Sequence, residues 1–375
     1  MSPASRPAPP VSRVRNLVAG AASSLAITVA TLAVLEGGVS LSLFLRDYLS
    51  ADAPVPAVRA HTVHDTLLGW VNQPGYANAD EYGPGVGLSI TRSGFRAGAR
   101  VPSDSAAPAS RVVCSGDSFT FGSGVADDRH WCTLLEGLLP GIRTSNLGEA
   151  SYGFDQSALR YRRDGAPLAA GVHVFALTDG ALDRAPGSSL DGWPKPYLEL
   201  DGEGVTTRNV PVGPQRGDAV RKATAARALD GLRIVQEFRR VRGVDREWAA
   251  ARAADARLPL VERVIGDMAS ADRERGGTFV LAYLPSFRTA RRDGADERRT
   301  RLAAFAKARG IPFVDLTQRF HAMRADSLDL SFIGSDAPGR SDGAAGQLSR
   351  LGHAVVAREI AGVLARPGRE RVPTR

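Results

Sequence analysis

The chain has 375 residues, and 48 lysines and arginines against 40 aspartates and glutamates give it a formal net charge of +8. The basic residues are almost all arginines scattered among acids and alanines, so we expect no nucleic-acid surface. The two cysteines, Cys114 and Cys132, lack the spacing of metal ligands, and we expect no metal site. The length allows an anchor plus one large domain, or two ordinary domains.

An uncharged apolar run lies near the amino terminus. Leu17 to Leu35 carries no charge and is long enough to cross a bilayer as a helix, and apolar sequence continues to Leu45. Three arginines and no acidic residue precede the run. By the positive-inside rule, residues 1–16 are predicted to be a cytoplasmic tail and residues 17–45 a single transmembrane anchor of the cell membrane. The remaining chain would then be exported. A cleaved signal peptide is the alternative.

Two segments connect the predicted anchor to the main domain. Residues 46–60 are rich in alanine and proline, which predicts a short, stiff linker. Residues 61–110 alternate turn residues with brief apolar pieces, which predicts a β-rich lead-in. At the other end of the chain, residues 367–375 are predicted to form a disordered tail.

Residues 111–366 alternate between strand and helix patterns, which indicates an α/β domain with a parallel sheet. Residues 178–217 interrupt it with loop sequence and one hairpin (Tyr197–Leu200 and Val205–Val210), and are predicted to be an insertion. The predicted strands are Arg111–Cys114, Arg143–Leu147, Val172–Leu177, Thr278–Leu284 and Pro312–Leu316. The predicted helices are Arg129–Leu139, Asp155–Asp164, Asp218–Val241, Leu260–Arg275, Arg299–Ala308 and Ser349–Leu364.

The first of these strands breaks directly into Gly116-Asp117-Ser118. A strand followed by small residues delivers Ser118 to the carboxyl edge of the sheet, where open α/β folds bind their ligands. The turn resembles the nucleophile block of the GDSL/SGNH hydrolases, and the similarity extends over roughly residues 94–364. The resemblance implies a three-layer SGNH-like sandwich in which Ser118 is the nucleophile. A tight turn with a helix cap is the alternative for this motif when it is taken alone.

Two loops resemble the blocks that form the family's oxyanion hole. The amide of Ser118 is one donor in such a site. Asn146 to Gln156 follows the second predicted strand, but Ser151 stands where the family has glycine. Its amide is still expected to be a second donor, and its side chain is expected to affect the backbone angle. After the third strand, Asp179 stands where the resemblance implies an asparagine side chain. An ionised Asp179 would accept hydrogen bonds and repel a developing oxyanion.

The carboxyl-terminal block departs further from the family pattern. Counting back from His353 places Gln347 where the resemblance implies the catalytic histidine, and glutamine cannot act as a general base. His353 matches a second, structural histidine, and a displaced base is its other possible role. Asp342 is the acid nearest to the position of the family's aspartate, which here is Ala344 or Ala345.

The resemblance supports two functions. The first is an exported serine esterase or acyltransferase that acts on acyl groups of cell-envelope glycans or lipids. The alternative is a catalytically inactive SGNH-like domain that binds such a glycan or a partner protein, and no cofactor is implied for either. Export also places Cys114 and Cys132 in an oxidising compartment. They lie at the end of a strand and the start of the next helix, so either a disulfide or two buried thiols is expected.

Overall fold

The computed structural model describes residues 60–99, 110–202, 204–214, 255–291, 296–334 and 346–365, together with some helical residues between 19 and 34. Within these ranges, thirteen strands and ten α-helices have defined bounds. The strands are β1 (Thr62–Asp65), β2 (Gly69–Asn72), β3 (Ala77–Asn78), β4 (Leu88–Ser89), β5 (Ser110–Ser115), β6 (Ile142–Asn146), β7 (Val172–Thr178), β8 (Ser189–Leu190), β9 (Trp193–Pro194), β10 (Tyr197–Asp201), β11 (Gly204–Arg208), β12 (Thr278–Leu284) and β13 (Phe313–Asp315). The helices are α1 (Ser118–Phe121), α2 (Trp131–Leu138), α3 (Phe154–Arg160), α4 (Asp179–Arg184), α5 (Leu258–Glu274), α6 (Phe287–Arg291), α7 (Glu297–Ala308), α8 (Leu316–His321), α9 (Ala325–Leu330) and α10 (Arg350–Leu364).

The central element is a five-stranded sheet in the order β13-β12-β7-β5-β6. Every neighbouring pair of these strands is parallel. Numbered along the chain, this is the order 2-1-3-4-5 of a doubly wound fold, in which the strand order reverses between the first and third strands. Here that switch point lies between β5 and β7, directly before the turn that carries Ser118.

Alternating residues of the sheet strands bury two apolar clusters, one on each face. Val113, Phe175 and Leu281 belong to the cluster under α3 and α5. Val112, Val174 and Val280 belong to the cluster under α2, α8 and α10. A period of two residues places successive side chains on opposite faces, so strands that are apolar throughout require cover on both sides. The result is a three-layer α/β sandwich.

The predicted strand positions are confirmed, with small shifts at the ends. The hairpin predicted in residues 178–217 is present as β10 and β11, which pair antiparallel with Tyr197 opposite Arg208. The segment also begins with α4, a helix that the loop-like composition did not predict. The predicted helix Asp218–Val241 lies outside the described residues.

The lead-in forms small antiparallel hairpins that pack beside the serine turn. β1 pairs with β2 and β3 with β4. The indole of Trp70 donates to the carbonyl of Ala150, and the hydroxyl of Tyr152 donates to the carbonyl of Trp70 at 2.5 Å. Arg96, which is almost fully buried, donates to the carbonyl of Val125 at 2.8 Å. The lead-in therefore belongs to the same packed unit as the sheet.

The described residues of the amino-terminal run are helical and exposed, with Leu25, Ile27 and Val34 each at least two-thirds accessible. Among the residues that the structure describes, no helix is both long enough and apolar enough to cross a membrane. The predicted anchor at residues 17–45 lies largely outside the described residues.

Cys114 and Cys132 form a disulfide, with their Cα atoms 6.2 Å apart. Cys114 is in β5 and Cys132 is in the first turn of α2. The bond encloses the serine turn, since the two cysteines lie 18 residues apart on either side of it. Of the two outcomes expected from the sequence, the structure contains the disulfide.

Candidate functional site

The serine turn begins where β5 ends. Asp117 caps α1, because its Oδ1 accepts a hydrogen bond of 3.0 Å from the amide of Phe119. Ser118 is the first residue of this short helix and is 7% exposed. The turn lies at the switch point of the sheet, where doubly wound folds bind ligands. The structure thus places Ser118 where the sequence predicted it.

The second carboxylate oxygen of Asp117 holds the turn against the end of β7. Its Oδ2 accepts from the hydroxyl of Thr178 and from Nη2 of Arg184, each at 2.6 Å. Thr178 also caps α4, accepting from the amide of Ala181 at 3.0 Å. Asp117 is almost completely buried, so these charge-assisted bonds fix the turn firmly. Sequence analysis did not predict a role for Thr178 or Arg184, because both act through a contact distant in sequence.

The loop after β6 lies directly against the serine turn. Asn146 donates from Nδ2 to the carbonyl of Thr120 at 2.8 Å and accepts from the amide of Gly148 at 2.9 Å. A Cβ at Gly148 would lie 2.2 Å from the backbone nitrogen of Phe121, so only glycine permits this approach. The serine turn and the loop after β6, both predicted to contribute to an oxyanion site, are therefore adjacent.

Ser151 adopts the backbone conformation that glycine prefers, with φ of 67°. A left-handed backbone costs a residue with a side chain about 1–2 kcal/mol relative to the right-handed region. The sequence analysis expected a side chain here to affect the backbone angle. Ser151 instead keeps the glycine-like φ angle despite this energetic cost.

Asp179 accepts hydrogen bonds at both of its carboxylate oxygens. The hydroxyl of Tyr283 donates to Oδ1, and the hydroxyl of Thr289 donates to Oδ2 at 2.5 Å. Burial raises the pKa of Asp179 above its usual value, against the opposing effect of these two hydrogen bonds. These contacts join the end of β7 to β12 and α6. They give Asp179 no donor role, so its assignment to the oxyanion hole gains no support.

His353 is buried between α10 and the start of α2. Its Nδ1 accepts from the amide of Trp131 at 3.2 Å, and its Nε2 has no hydrogen-bond partner among the described residues. Burial lowers its pKa well below 6.5, and the nearby His130 and Arg96 lower it further. The ring is therefore neutral, and the hydrogen bond that it accepts joins α10 to the start of α2. No described hydrogen bond joins it to Ser118.

All six histidines of the chain lie among the described residues. The other five have partners of their own, and in no case is Ser118 among the partners that the structure describes. These contacts are His61 with Glu81, His64 with the carbonyl of Val212, His130 with Thr133 and Ala97, His173 with Ser115 and Asp272, and His321 with the carbonyl of Ala290. No histidine is left that could lie in an undescribed segment.

Gln347 stands in the sequence where the resemblance implies the catalytic histidine. Its carbonyl accepts from the amide of Ile333 at 2.8 Å, and its buried Oε1 has no partner among the described residues. Glutamine does not titrate, so it cannot take the proton of a serine hydroxyl. Asp342, Ala344 and Ala345 lie outside the described residues.

A Ser-His-Asp chain does exist, but in the core. Ser115 Oγ donates to His173 Nε2 at 2.5 Å, and His173 Nδ1 donates to Asp272 Oδ2 at 2.9 Å. The ring of Tyr161 stacks on His173 with 3.4 Å between centroids, and all three members of the chain are at most 5% exposed. Because no substrate can reach Ser115, we assign this chain to the packing of β5, β7 and α5. Sequence analysis missed it, since its members are 58 and 99 residues apart.

His130 makes the stability of the fold sensitive to acid. Burial lowers its pKa from 6.5 to about 3, with the charge of Arg96 as a smaller cause. As the pH falls, the imidazole of His130 is therefore protonated in the unfolded chain before it is protonated in the folded protein. The stabilisation is complete above about pH 6.5 and is lost progressively toward pH 3.

We expect the unfolding free energy of the wild type to fall more steeply between pH 7 and pH 4 than that of a His130→Asn variant, since asparagine retains the cap of α2 without titrating. Urea denaturation at several pH values measures both slopes. Parallel slopes for the two proteins would contradict the assignment.

No protein-family profile matches the sequence, and a comparison with curated proteins finds no match. Similar solved structures include a lipolytic protein of the G-D-S-L family from Desulfitobacterium hafniense, 16% identical over 68% of this chain and 99% of its own, with a TM-score of 0.37. An acetylxylan esterase from Geobacillus stearothermophilus is 15% identical over 71% of this chain and 97% of its own, with a TM-score of 0.38. The acetyl xylan esterase AlAXEase is 13% identical over 68% and 99% of the two chains, with a TM-score of 0.38.

The sheet order and the position of the serine turn match the SGNH-like α/β fold that the sequence resemblance implies. One of the similar structures is of the G-D-S-L family. Fold alone does not decide activity, so the function is argued from the site.

Proposed function

We propose that this chain is an exported, membrane-anchored domain that binds acyl esters of cell-envelope glycans or lipids at Ser118, and that it lacks the base needed to hydrolyse them efficiently. The observation that carries the proposal is the position of the six histidines relative to Ser118. All six are described, and none is hydrogen-bonded to Ser118 within the described part of the chain. A positioned base typically contributes about 10²–10⁴-fold to the rate, so its absence leaves binding as the main activity.

The geometry of the turn supports a ligand site. Three hydrogen bonds preorganise Asp117, and the loop carrying Ser151 lies against α1. A purely structural turn would not need Ser118 at the sheet's switch point. The substrate class rests on the resemblance to GDSL/SGNH hydrolases.

Two observations support export and anchoring. The uncharged run at residues 17–35 follows three arginines, which favours an amino terminus in the cytoplasm. The bond between Cys114 and Cys132 is typical of proteins in oxidising compartments.

The second candidate function is a serine esterase or O-acyltransferase. The intact turn of Asp117 and Ser118 favours it, because a nucleophile held in this way needs only a base. A displaced His353 is the only base that the sequence analysis offered for this role. The two candidate functions differ in whether the acyl group of the bound ester is cleaved.

We expect the purified exported domain to bind an O-acetylated envelope disaccharide about tenfold more tightly than the same sugar without its acetyl group, the effect of about one net hydrogen bond. Calorimetric titration measures both affinities, and mass spectrometry follows the acetyl group. Ser118→Val should lose the preference, while a matched change at the exposed Ser189 (Ser189→Val) should retain it. Equal affinities for the two sugars in the wild type would refute binding, and rapid loss of the acetyl group would favour the esterase.

A further inference from the structure

Arg184 bridges the two loops that surround the candidate ligand site. Its Nη2 donates to Asp117 Oδ2 at 2.6 Å, beside Ser118, and its Nε donates to the carbonyl of Tyr152 at 3.0 Å, beside Ser151. The side chain is 26% exposed. A guanidinium held at two of its nitrogens has a fixed orientation, so a further hydrogen bond from it costs little additional entropy.

The third guanidinium nitrogen lies against Gly180. A Cβ built on Gly180 would be 2.7 Å from Arg184 Nη1, so the guanidinium occupies the space into which a side chain at this position would project. No hydrogen bond among the described residues uses Nη1.

Asp179 does not compete for this nitrogen. Both of its oxygens already accept, from Tyr283 and from Thr289. The charge of Arg184 is balanced by Asp117, so Nη1 contributes a directed hydrogen bond more than a net charge. The arrangement leaves one oriented N–H donor group, Nη1, beside Gly180, on a guanidinium that is bonded to the neighbours of Ser118 and Ser151.

The geometry points to Arg184 as the side-chain donor of the acyl-ester site: Nη1 holds the oxygen of the acyl group that lies at Ser118. This inference rests on the proposed function, because it needs an acyl group at Ser118. It also predicts a ligand preference. A donor of this kind favours an anionic oxygen over a neutral carbonyl, since hydrogen bonds to charged groups are stronger.

Two probes of similar shape test the assignment. Ethyl acetate presents a neutral carbonyl, whereas the monoethyl ester of methylphosphonate presents an anionic, tetrahedral group of similar size. We expect the full-length wild-type protein to bind the phosphonate more tightly than the acetate. Arg184→Gln should weaken phosphonate binding by about 10- to 100-fold and ethyl acetate binding by only about two- to tenfold, because the acetate loses a hydrogen bond to a neutral carbonyl.

The Gly180→Ala variant changes the orientation of the Arg184 guanidinium without removing its charge. The added methyl group must displace Nη1, which is the end of a flexible side chain, while alanine suits the helix better than glycine. This variant should be as stable as the wild type and should still lose the preference for the phosphonate. The control is Arg163→Gln, since Arg163 is similarly exposed and also holds an aspartate, Asp65, at 2.7 Å, but lies outside the site.

Each outcome decides between the two proposals. If both probes bind but the phosphonate has no advantage, or if its advantage persists in Arg184→Gln and Gly180→Ala, the assignment of Arg184 is wrong and the binding function stands. If only the phosphonate binds, and binds through Arg184, acyl-ester binding falls and the assignment falls with it, because Arg184 is then a donor to an anion and not to an acyl ester. If neither probe binds the wild type, both proposals fall. Should Arg184→Gln not fold, the Gly180→Ala comparison decides alone.

Discussion

Replacing Gln347 with histidine and placing an aspartate at Ala344 or Ala345 should raise the rate at which the domain hydrolyses an activated acetyl ester by about 10²–10⁴-fold, the usual contribution of a positioned base. The reason is that the serine turn is already organised. Asp117 caps α1 and is held by Thr178 and Arg184, so under the proposed function the double change adds the proton acceptor that the organised turn lacks. Initial rates with an aryl acetate measure the gain.

Two controls accompany this experiment. Ser118→Ala in the repaired background should abolish the gain, since the new base has no other hydroxyl to activate. Gln347→Ala with the same aspartate supplies no imidazole and should remain as slow as the wild type. A repaired variant that folds but gains no rate would show that the position of Gln347 does not face Ser118.

Replacing both cysteines with alanine should lower the free energy of unfolding by about 3 kcal/mol, the loss expected when a loop of this size is no longer closed in the unfolded chain. Cys114 and Cys132 are 18 residues apart, and both are fully buried. A loss of this size is a large part of the roughly 5–15 kcal/mol that stabilises a typical domain. Urea denaturation monitored by circular dichroism measures it.

Reduction provides the matched test of the disulfide. A reductant should shift the urea midpoint of the wild type toward that of the double alanine variant and should leave the variant unchanged. Mass spectrometry after alkylation without reduction should find no labelled cysteine. Two freely labelled thiols in the folded wild type, with a midpoint insensitive to reductant, would rule out the bond.

Most of the fold could be predicted because its signals are local. The alternation of strand and helix patterns predicts a parallel sheet, and the five predicted strands form that sheet. The short helix Asp179–Arg184 was missed, because six residues carry too little periodicity and Gly180 favours a loop assignment. Its cap, Thr178, is recognisable only when the helix is known.

The residues of the candidate site also divide into those that a local sequence pattern signals and those that it does not. The position of Ser118 follows from a local strand-turn pattern, whereas the interpretation of Gln347 as the lost base comes from spacing within one block and stays a prediction. The contacts of Arg184 with Asp117 and Tyr152 join residues 67 and 32 positions apart, and no local pattern signals them. The same limit applies to the buried chain from Ser115 through His173 to Asp272. Each of its members resembles an ordinary core or surface residue in sequence.

The central claim is that Ser118 lies in a ligand site without a base. The most direct measurement compares the wild type with Ser118→Ala for hydrolysis of an activated acetyl ester, with circular dichroism confirming that both are folded. The account predicts the same slow rate for both proteins, because no imidazole activates the hydroxyl. Wild-type turnover well above that of Ser118→Ala would contradict it and would show that a base, with His353 the first to be tested by substitution, reaches Ser118.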